Sequence, residues 1–262
     1  MEKITVWDAY NEVFKVVTAK KFIPEEKSHH TADLIKNFIY IFGGEITSGV
    51  GKSMRILSSE LLRFDTSKHE WQFLRCSGAF INGRKSHASC ILNKFLIIHG
   101  GICEDAKYSN EFYAFLPDRT HWQKIDLHVS AFNKNGQVKP IANHKMVAVY
   151  QFPNSQELFG QAKGYPRDYE INFCDRIAYE GLYVFGGRFE DNTSSDHLYV
   201  ISTEKSSWKS IEPQTVGKKP TSRYGHAMIY DRDKNWVLIY GGKTSDSYQA
   251  LGKFNFPNKY RL

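Results

Sequence analysis

Four unbroken apolar runs organise the chain, and each ends at a pair of glycines. A short strand that is covered on both faces reads as a continuous apolar run rather than as an alternation of apolar and polar residues. Each run also follows a histidine and a shorter apolar segment. The pattern therefore predicts four antiparallel strand pairs. The runs, with their histidines, are FIYIF (38–42, after His30), FLIIH (95–99, after His87), LYVF (182–185, after His144) and VLIY (237–240, after His226).

A second apolar strand and a tryptophan follow the glycine pair at a constant spacing. Phe64 precedes Trp71, Phe115 precedes Trp122 and Ile201 precedes Trp208. The strings LLRFDTSKHEWQFL, EFYAFLPDRTHWQKI and HLYVISTEKSSWKSI are visibly related. Recurrence at this period is typical of propeller repeats. The combination of glycine pair and downstream tryptophan resembles the kelch-repeat family over nearly the whole chain.

The resemblance implies an all-β, kelch-type β-propeller with four recognisable four-stranded blades and an N-terminal half blade. The whole of 1–262 would form this propeller. Kelch propellers close their ring by pairing strands from both chain ends, and the front half of the closing blade is missing here. We therefore expect the ring to be incomplete in this sequence and the protein to continue beyond Leu262. The predicted boundaries are a half blade at 1–17, blade one at 29–75, blade two at 86–126, blade three at 144–212 with an insert at 152–180, and blade four at 225–262.

The recurring residues are predicted to be structural. Glycine permits positive φ and close backbone approach, and a large aromatic side chain can cap the contact between blades. The strand-start histidines recur once per blade, as a packing residue would. The predicted structural glycines are Gly43, Gly44, Gly100, Gly101, Gly186, Gly187, Gly241 and Gly242, and the tryptophans are Trp71, Trp122 and Trp208.

Composition narrows the classes of function. The formal net charge is +7, but lysine and arginine are scattered, which favours an acidic protein partner over nucleic acid. The four cysteines lack metal-site spacing, so we expect no metal and no cofactor. The sequence around Gly51-Lys52-Ser53 has Ile46 where a phosphate-binding loop needs glycine. No leader or membrane span is apparent, which predicts a cytoplasmic protein without a membrane partner.

Arginine, lysine and tyrosine are frequent in the loops after the glycine pairs and in the links between blades. Loops of varied sequence on a rigid scaffold are usual sites of recognition. Arg84 and Arg223 each lie three residues before a strand-start histidine, where the other blades have Lys27 and Ile141. These two arginines could brace a loop or bind acidic groups. The predicted rim for protein binding comprises Arg84, Arg188, Arg223, Tyr224 and Lys243.

These observations favour a non-catalytic, protein-binding scaffold or adaptor that acts as a subunit of a larger assembly. The family resemblance implies substrate capture for ubiquitin ligases or attachment within cytoskeletal or ciliary assemblies, and the sequence carries no BTB or F-box segment. The alternative is an enzyme, or a propeller that binds a small ligand or metal in its central channel. No copper-ligand set of the galactose-oxidase kind can be matched, and no nucleophile with an adjacent base can be argued from the order of residues.

Overall fold

The computed structural model describes residues 3–48, 54–129, 138–149, 181–204, 207–211, 219–231 and 236–244. These residues form strands β1 to β21 and short 3₁₀ turns, which confirms the all-β prediction. The chain divides into two compact units. Unit 1 contains residues 1–125 and 140–142, and unit 2 contains residues 126–139 and 143–262.

Unit 1 begins with a two-stranded antiparallel sheet, where the sequence predicts a half blade. Strand β1 (Lys3–Asp8) pairs with β2 (Val13–Thr18), and Trp7 lies opposite Phe14 with ring centroids 4.7 Å apart. Both aromatic side chains are largely exposed.

Blade one is a four-stranded antiparallel sheet with a second, smaller sheet beside it. The four strands are β4 (Thr31–Ile35), β5 (Phe38–Phe42), β8 (Leu61–Asp65) and β9 (Glu70–Leu74), in that order. The predicted loop between β5 and β8 instead contains strands β6 (Glu45–Ser48) and β7 (Met54–Leu57). These two strands join β3 (Lys27–Ser28) in a three-stranded sheet of order β3-β6-β7. The stretch 49–53, which resembles a phosphate-binding loop, lies outside the described residues.

Blade two has one strand more than the sequence predicts. Strands β11 (Ala88–Leu92), β12 (Phe95–His99), β13 (Phe112–Leu116) and β14 (His121–Ile125) form the expected antiparallel sheet. The short strand β10 (Ser77–Gly78) pairs parallel to β14 and adds a fifth strand on the outer edge. Blades one and two share a core in which Phe42 and Trp122 meet with ring centroids 5.2 Å apart.

Unit 2 repeats this plan. Blade three comprises β16 (Lys145–Val149), β17 (Gly181–Phe185), β18 (Leu198–Glu204) and β19 (Ser207–Ile211), with β15 (Leu127–Val129) parallel to β19. Blade four is described only as the strand pair β20 (Ala227–Asp231) and β21 (Trp236–Tyr240). The insert at 152–180 and the predicted hairpin after residue 244 lie outside the described residues. Residues of blades three and four share the unit's core.

The second strands of the four blades, β5, β12, β17 and β21, differ in how completely they are buried. Strand β17 is buried at every residue, and β12 at every residue after Phe95. In β5, Tyr40 and Phe42 are fully buried and the other residues are only partly so. Coverage on both faces, which the apolar runs predict for all four strands, is therefore complete only in blades two and three.

The tryptophans after the glycine pairs are not equivalent in burial. Trp122 is buried against Phe115, with ring centroids 5.0 Å apart. Trp71 packs on Phe64 at 4.9 Å but is only half-buried. Trp208 lies in β19, and its side chain falls outside the description.

Candidate functional site

Each second strand ends at its glycine pair, and this pair shapes the loop end of the blade. Gly43 and Gly44 have φ angles of +68° and +96°, which other residues rarely adopt. A Cβ atom on Gly43 would lie 2.6 Å from the carbonyl oxygen of Arg84 and 2.8 Å from Cε1 of His87. Glycine therefore lets the end of blade one approach the segment that leads into blade two. The same left-handed geometry occurs at 100–101, 186–187 and 241–242.

The segment that leads into each blade, from three residues before the strand-start histidine to the histidine itself, is here called the pre-strand segment. Its first residue bonds to the preceding blade through the backbone. The amide of Gly44 donates to the carbonyl of Arg84 at 2.8 Å, and the amide of Arg84 donates to Ser58 at 3.2 Å. In unit 2, Gly187 donates to the carbonyl of Arg223 at 2.8 Å. These bonds fix each pre-strand segment to the blade before it.

The side chain of Arg84 turns towards its own blade. Its Nη1 donates to the carbonyl of Gly100 at 3.0 Å and to Ser109 Oγ at 3.4 Å, and its Nη2 lies 3.4 Å from Glu111 Oε2. The side chain is fully buried. One residue thus links two blades, with its carbonyl accepting from the first glycine pair and its guanidinium donating to the second.

Arg223 repeats this arrangement in unit 2. Its Nη1 donates to the carbonyl of Gly241 at 2.9 Å and its Nη2 to Thr221 Oγ1 at 2.8 Å. Only 5% of the residue is exposed. The expectation that Arg84 and Arg223 belong to a surface rim therefore conflicts with their burial. Of the two roles that the sequence allows for them, the geometry favours bracing of the glycine loops.

The basic side chain three residues before the histidine bonds to a serine that lies two residues before a glutamate. This Ser-x-Glu motif was not among the predicted site residues. In blade one, Lys27 takes the place of Arg84, and its Nζ donates to Ser58 Oγ at 3.3 Å and to Glu60 Oε2 at 3.2 Å. In blade two the corresponding pair is Ser109 and Glu111. A signal for the motif was present, because a basic residue three before the histidine accompanies Ser-x-Glu in both blades. The shared feature is positive charge rather than arginine.

Blade three keeps the backbone bonds of the pre-strand segment and loses both charges. Ile141, which replaces the basic residue, is buried; its amide donates to Ser109 and its carbonyl accepts from Gly101. His197 replaces the glutamate two residues after Ser195. The ion pair is therefore dispensable for the blade, whereas the backbone bonds recur.

The rings of His87 and His226 pack against the glycine pair of the preceding blade. The ring of His87 meets Phe42 edge-on with centroids 5.4 Å apart, and its Nε2 is hydrogen-bonded to Thr31 Oγ1 at 2.8 Å. His226 meets Phe185 in the same way at 5.5 Å. Burial lowers the pKa of His144 to about 3 and that of His226 to about 4. His30 differs, since it is exposed and its Nδ1 is bonded to the carbonyl of Lys27.

Three residues of the predicted rim come together at the loop end of unit 2, and we call Arg188, Tyr224 and Lys243 the cationic cluster. The Arg188 guanidinium lies 5.6 Å from the centroid of the Tyr224 ring. Tyr224 and Lys243 exchange backbone hydrogen bonds of 3.0 and 2.9 Å. Lys243 is exposed and the other two residues are half-buried. A paired backbone therefore holds two cations and an aromatic ring near the surface.

The equivalent positions in unit 1 hold an acid and a base. Arg188 follows its glycine pair directly, as Glu45 does in blade one. Tyr224 lies two residues before its histidine, as Lys85 does in blade two. Glu45 and Lys85 form an ion pair. The hydrogen bond that Lys85 donates within this pair is the main reason why the pKa of Glu45 lies below its usual value. Unit 1 therefore neutralises charge at a position where unit 2 places a cation over an aromatic ring.

Within the described ranges, no group of three or more histidine, cysteine, aspartate or glutamate side chains is arranged to hold a metal ion. Cys90 is buried in β11, and burial raises the pKa of its thiol well above the usual value. No helix in this part of the chain is long and apolar enough to cross a bilayer.

Comparison with known proteins agrees with the repeat geometry. A family model described as the Attractin/LZTR1 beta-propeller matches residues 50–259. Kelch domain-containing protein 3 of Homo sapiens is 23% identical over 265 residues, covering 88% of this chain and 64% of that protein. Host cell factor homolog hcf-1 of Caenorhabditis elegans is 26% identical over 233 residues, covering 84% of this chain and 25% of that protein.

A shorter match is to Dynein regulatory complex subunit 7 of Chlamydomonas reinhardtii, which is 32% identical over 66 residues, or 25% of this chain and 6% of that protein. The chain thus spans less than two thirds of the length of each of these relatives. The family model covers well over half of the chain. The kelch-repeat prediction made from the glycine pairs and tryptophans is confirmed, and the chain belongs to the Attractin/LZTR1 β-propeller family.

Proposed function

We propose that this chain is a protein-binding scaffold that holds an acidic segment of its partner at the cationic cluster. The relatives support a protein-interaction role at the level of the family. The observation that carries the finer proposal is the contrast between equivalent loop positions. The scaffold can place a neutral ion pair there, as Glu45 and Lys85 show, yet unit 2 presents Arg188 over Tyr224 beside the exposed Lys243.

The chemistry of the cluster suits carboxylate side chains. Arginine can bind a carboxylate through two parallel hydrogen bonds, and its planar guanidinium also stacks on aromatic faces. Arginine and tyrosine are also enriched among the residues that contribute most to protein interfaces. The positive charge of Lys243, an exposed residue, and the net charge of +7 favour the approach of an acidic partner.

A narrower form of the proposal places the scaffold in the cytoplasm, as a subunit of a cytoskeletal or ciliary assembly. The local similarity to Dynein regulatory complex subunit 7 supports this form. Microtubule-based structures also offer acidic protein surfaces of the kind that the cluster would bind. The competing interpretation, a central-channel enzyme or metal site, has no observation on the described residues in its favour.

Charge reversal of the cluster tests the proposal. The double variant Arg188→Glu/Lys243→Glu should lower the affinity for a fluorescein-labelled, aspartate- and glutamate-rich dodecapeptide at least tenfold in an anisotropy titration at low salt. Binding by the unaltered chain should weaken as salt is raised, because the exposed charges are screened. Affinity purification with mass spectrometry would then identify the cellular partners that the variant loses.

The control variant is Lys94→Glu/Lys107→Glu, which changes the net charge by the same amount at two exposed lysines of unit 1. It should retain most of the affinity for the dodecapeptide. Equal losses in the two variants, with unchanged thermal unfolding, would show that only overall charge matters and would refute a role for the cationic cluster.

A further inference from the structure

The hairpin β6–β7 has a strand edge that no described residue covers. Strand β6 lies between β3 and β7, so β7 is the outer strand of its sheet. At its carboxyl end, β7 is held where Gly83 lies against the carbonyl of Leu57. Within the described ranges, no backbone group pairs with the outer edge of Met54–Ile56. The backbone N–H and C=O groups along an uncovered edge are a template for another strand.

The outer edges of the main sheets of blades one, two and three are covered. Short parallel strands lie along the outermost strands of blades two and three, and Lys20 exchanges backbone bonds with His69 and Trp71 at the edge of blade one. The loops that correspond to β6–β7, at 102–108 and 188–194, are shorter and contain isolated bridges in place of a hairpin. The uncovered edge of β7 is therefore a particular feature of blade one.

The first three side chains of β7, Met54, Arg55 and Ile56, are apolar, basic and apolar in turn, and all three are exposed. Met54 is 60% exposed and Ile56 is 48% exposed on one face of the hairpin. Between them, the Arg55 side chain is 72% exposed on the other face. Its Nη1 lies 3.6 Å from Glu45 Oε2, and this carboxylate also pairs with Lys85. The two cations share a single negative charge, so the hairpin remains positive next to an apolar surface.

We propose that β7 binds an extended segment of a partner protein by strand addition. The segment alternates apolar residues, which cover Met54 and Ile56, with an acidic residue that completes the neutralisation of Arg55. Main-chain hydrogen bonds supply affinity in this mode of recognition, and alternate side chains supply specificity. The surface lies in unit 1, and its existence does not depend on the cationic cluster proposed above.

Synthetic peptides can test this directly with the 262-residue chain. The probe is a fluorescein-labelled heptapeptide of sequence Ser-Val-Glu-Val-Glu-Val-Ser. Two further versions serve as comparisons, one with lysine in place of both glutamates and one N-methylated at its third and fourth residues. The glutamate peptide should bind most tightly, the lysine peptide at least tenfold more weakly, and the N-methylated peptide at least tenfold more weakly. Hydrogen exchange should show new protection of the amides at 54–57 on binding, which side-chain contact alone would not produce.

Variants of β7 separate the contributions. Met54→Lys/Ile56→Lys should weaken binding of the glutamate peptide at least tenfold, whereas Leu34→Lys, at a residue also 60% exposed in the same blade, should leave it unchanged. Arg55→Glu should reverse the preference and make the lysine peptide the tighter ligand. Because all these side chains are exposed, the variants should keep the unfolding midpoint of the original chain.

Several outcomes would overturn the proposal. One is the absence of measurable binding by the glutamate peptide at millimolar concentration. Another is equal binding of the N-methylated peptide, which would exclude main-chain pairing. A third is self-association in sedimentation velocity that the Met54→Lys/Ile56→Lys variant abolishes, because the occupant of the edge would then be a second copy of this chain.

Discussion

The burial of Arg84 leads to a quantitative prediction about the stability of unit 1. In Arg84→Met the apolar chain is kept and the donors are lost, so the buried carbonyl of Gly100 loses the side-chain donor that bonds it at 3.0 Å. A buried acceptor without a partner costs about 1–3 kcal/mol. Glu111 also loses its contact with residue 84, but it is one-third exposed and keeps its bonds to Lys124 at 2.8 Å and Tyr113 at 3.0 Å. The loss of that contact therefore adds little to the cost. We expect a decrease in the free energy of unfolding of about 2 kcal/mol.

Lysine at this position should give an intermediate effect. Lys27 occupies the equivalent position in blade one, and its ammonium reaches the serine and the glutamate of that blade. Arg84→Lys should thus preserve those contacts, lose the bond to Gly100, and cost about 1 kcal/mol, near the net value of one hydrogen bond. Urea unfolding followed by tryptophan fluorescence measures both changes, with Arg75→Met, at an exposed arginine, as the control. Unchanged stability in Arg84→Met combined with lost binding of the acidic dodecapeptide would refute the bracing role.

The remaining predictions concern packing at the glycine pairs and in the core. Gly43→Ala should lower the free energy of unfolding by about 3 kcal/mol, because the new Cβ would lie 2.6 Å from a backbone oxygen. Gly225→Ala should lower it by only about 1 kcal/mol, because Gly225 has φ +64° but open space around it, and urea midpoints compare the two variants. Trp122→Ala should cost about 3–5 kcal/mol by the same assay. His144 and His226 stay neutral when folded, so the unfolded chain binds more protons below pH 6.5. Stability should therefore fall between pH 6.5 and 4, by up to about 1.4 kcal/mol per pH unit for each histidine, and a flat profile would contradict their burial.

The strands of the blades could be predicted because their signal is local. Runs such as FLIIH and LYVF are long enough to specify a covered strand, and the following glycines mark where it ends. The parallel strands β10 and β15 could not be predicted. Ser77–Gly78 and Leu127–Val129 are two and three residues long, and they pair through the backbone, which leaves no periodic side-chain pattern. The extra edge strands thus depend on tertiary position alone.

The candidate site was predicted only in part, because burial of a charged side chain has no local signature. Arg84 and Arg188 are the same residue type in polar segments, yet the first is fully buried and the second is only half-buried. Both have partners far along the chain, and what separates them is where those partners lie. The guanidinium of Arg84 contacts a glycine carbonyl, a serine and a glutamate in the segment between β12 and β13 of its own blade. Arg188 follows its glycine pair and stacks on the pre-strand segment of the next blade.

Equivalent positions within the repeat show which residues the fold constrains and which it leaves free. The position three before the histidine is buried at Arg84, Ile141 and Arg223, and its backbone bonds recur in each case. The position directly after the glycine pair, and the one two before the next histidine, keep no common chemistry. They hold an acid and a base at Glu45 and Lys85, apolar residues at 102 and 142, and a cation over an aromatic ring at 188 and 224. Since the same backbone supports all three combinations, stability does not dictate the choice. We therefore expect stability to depend on Arg84, and, under the proposed function, binding to depend on Arg188.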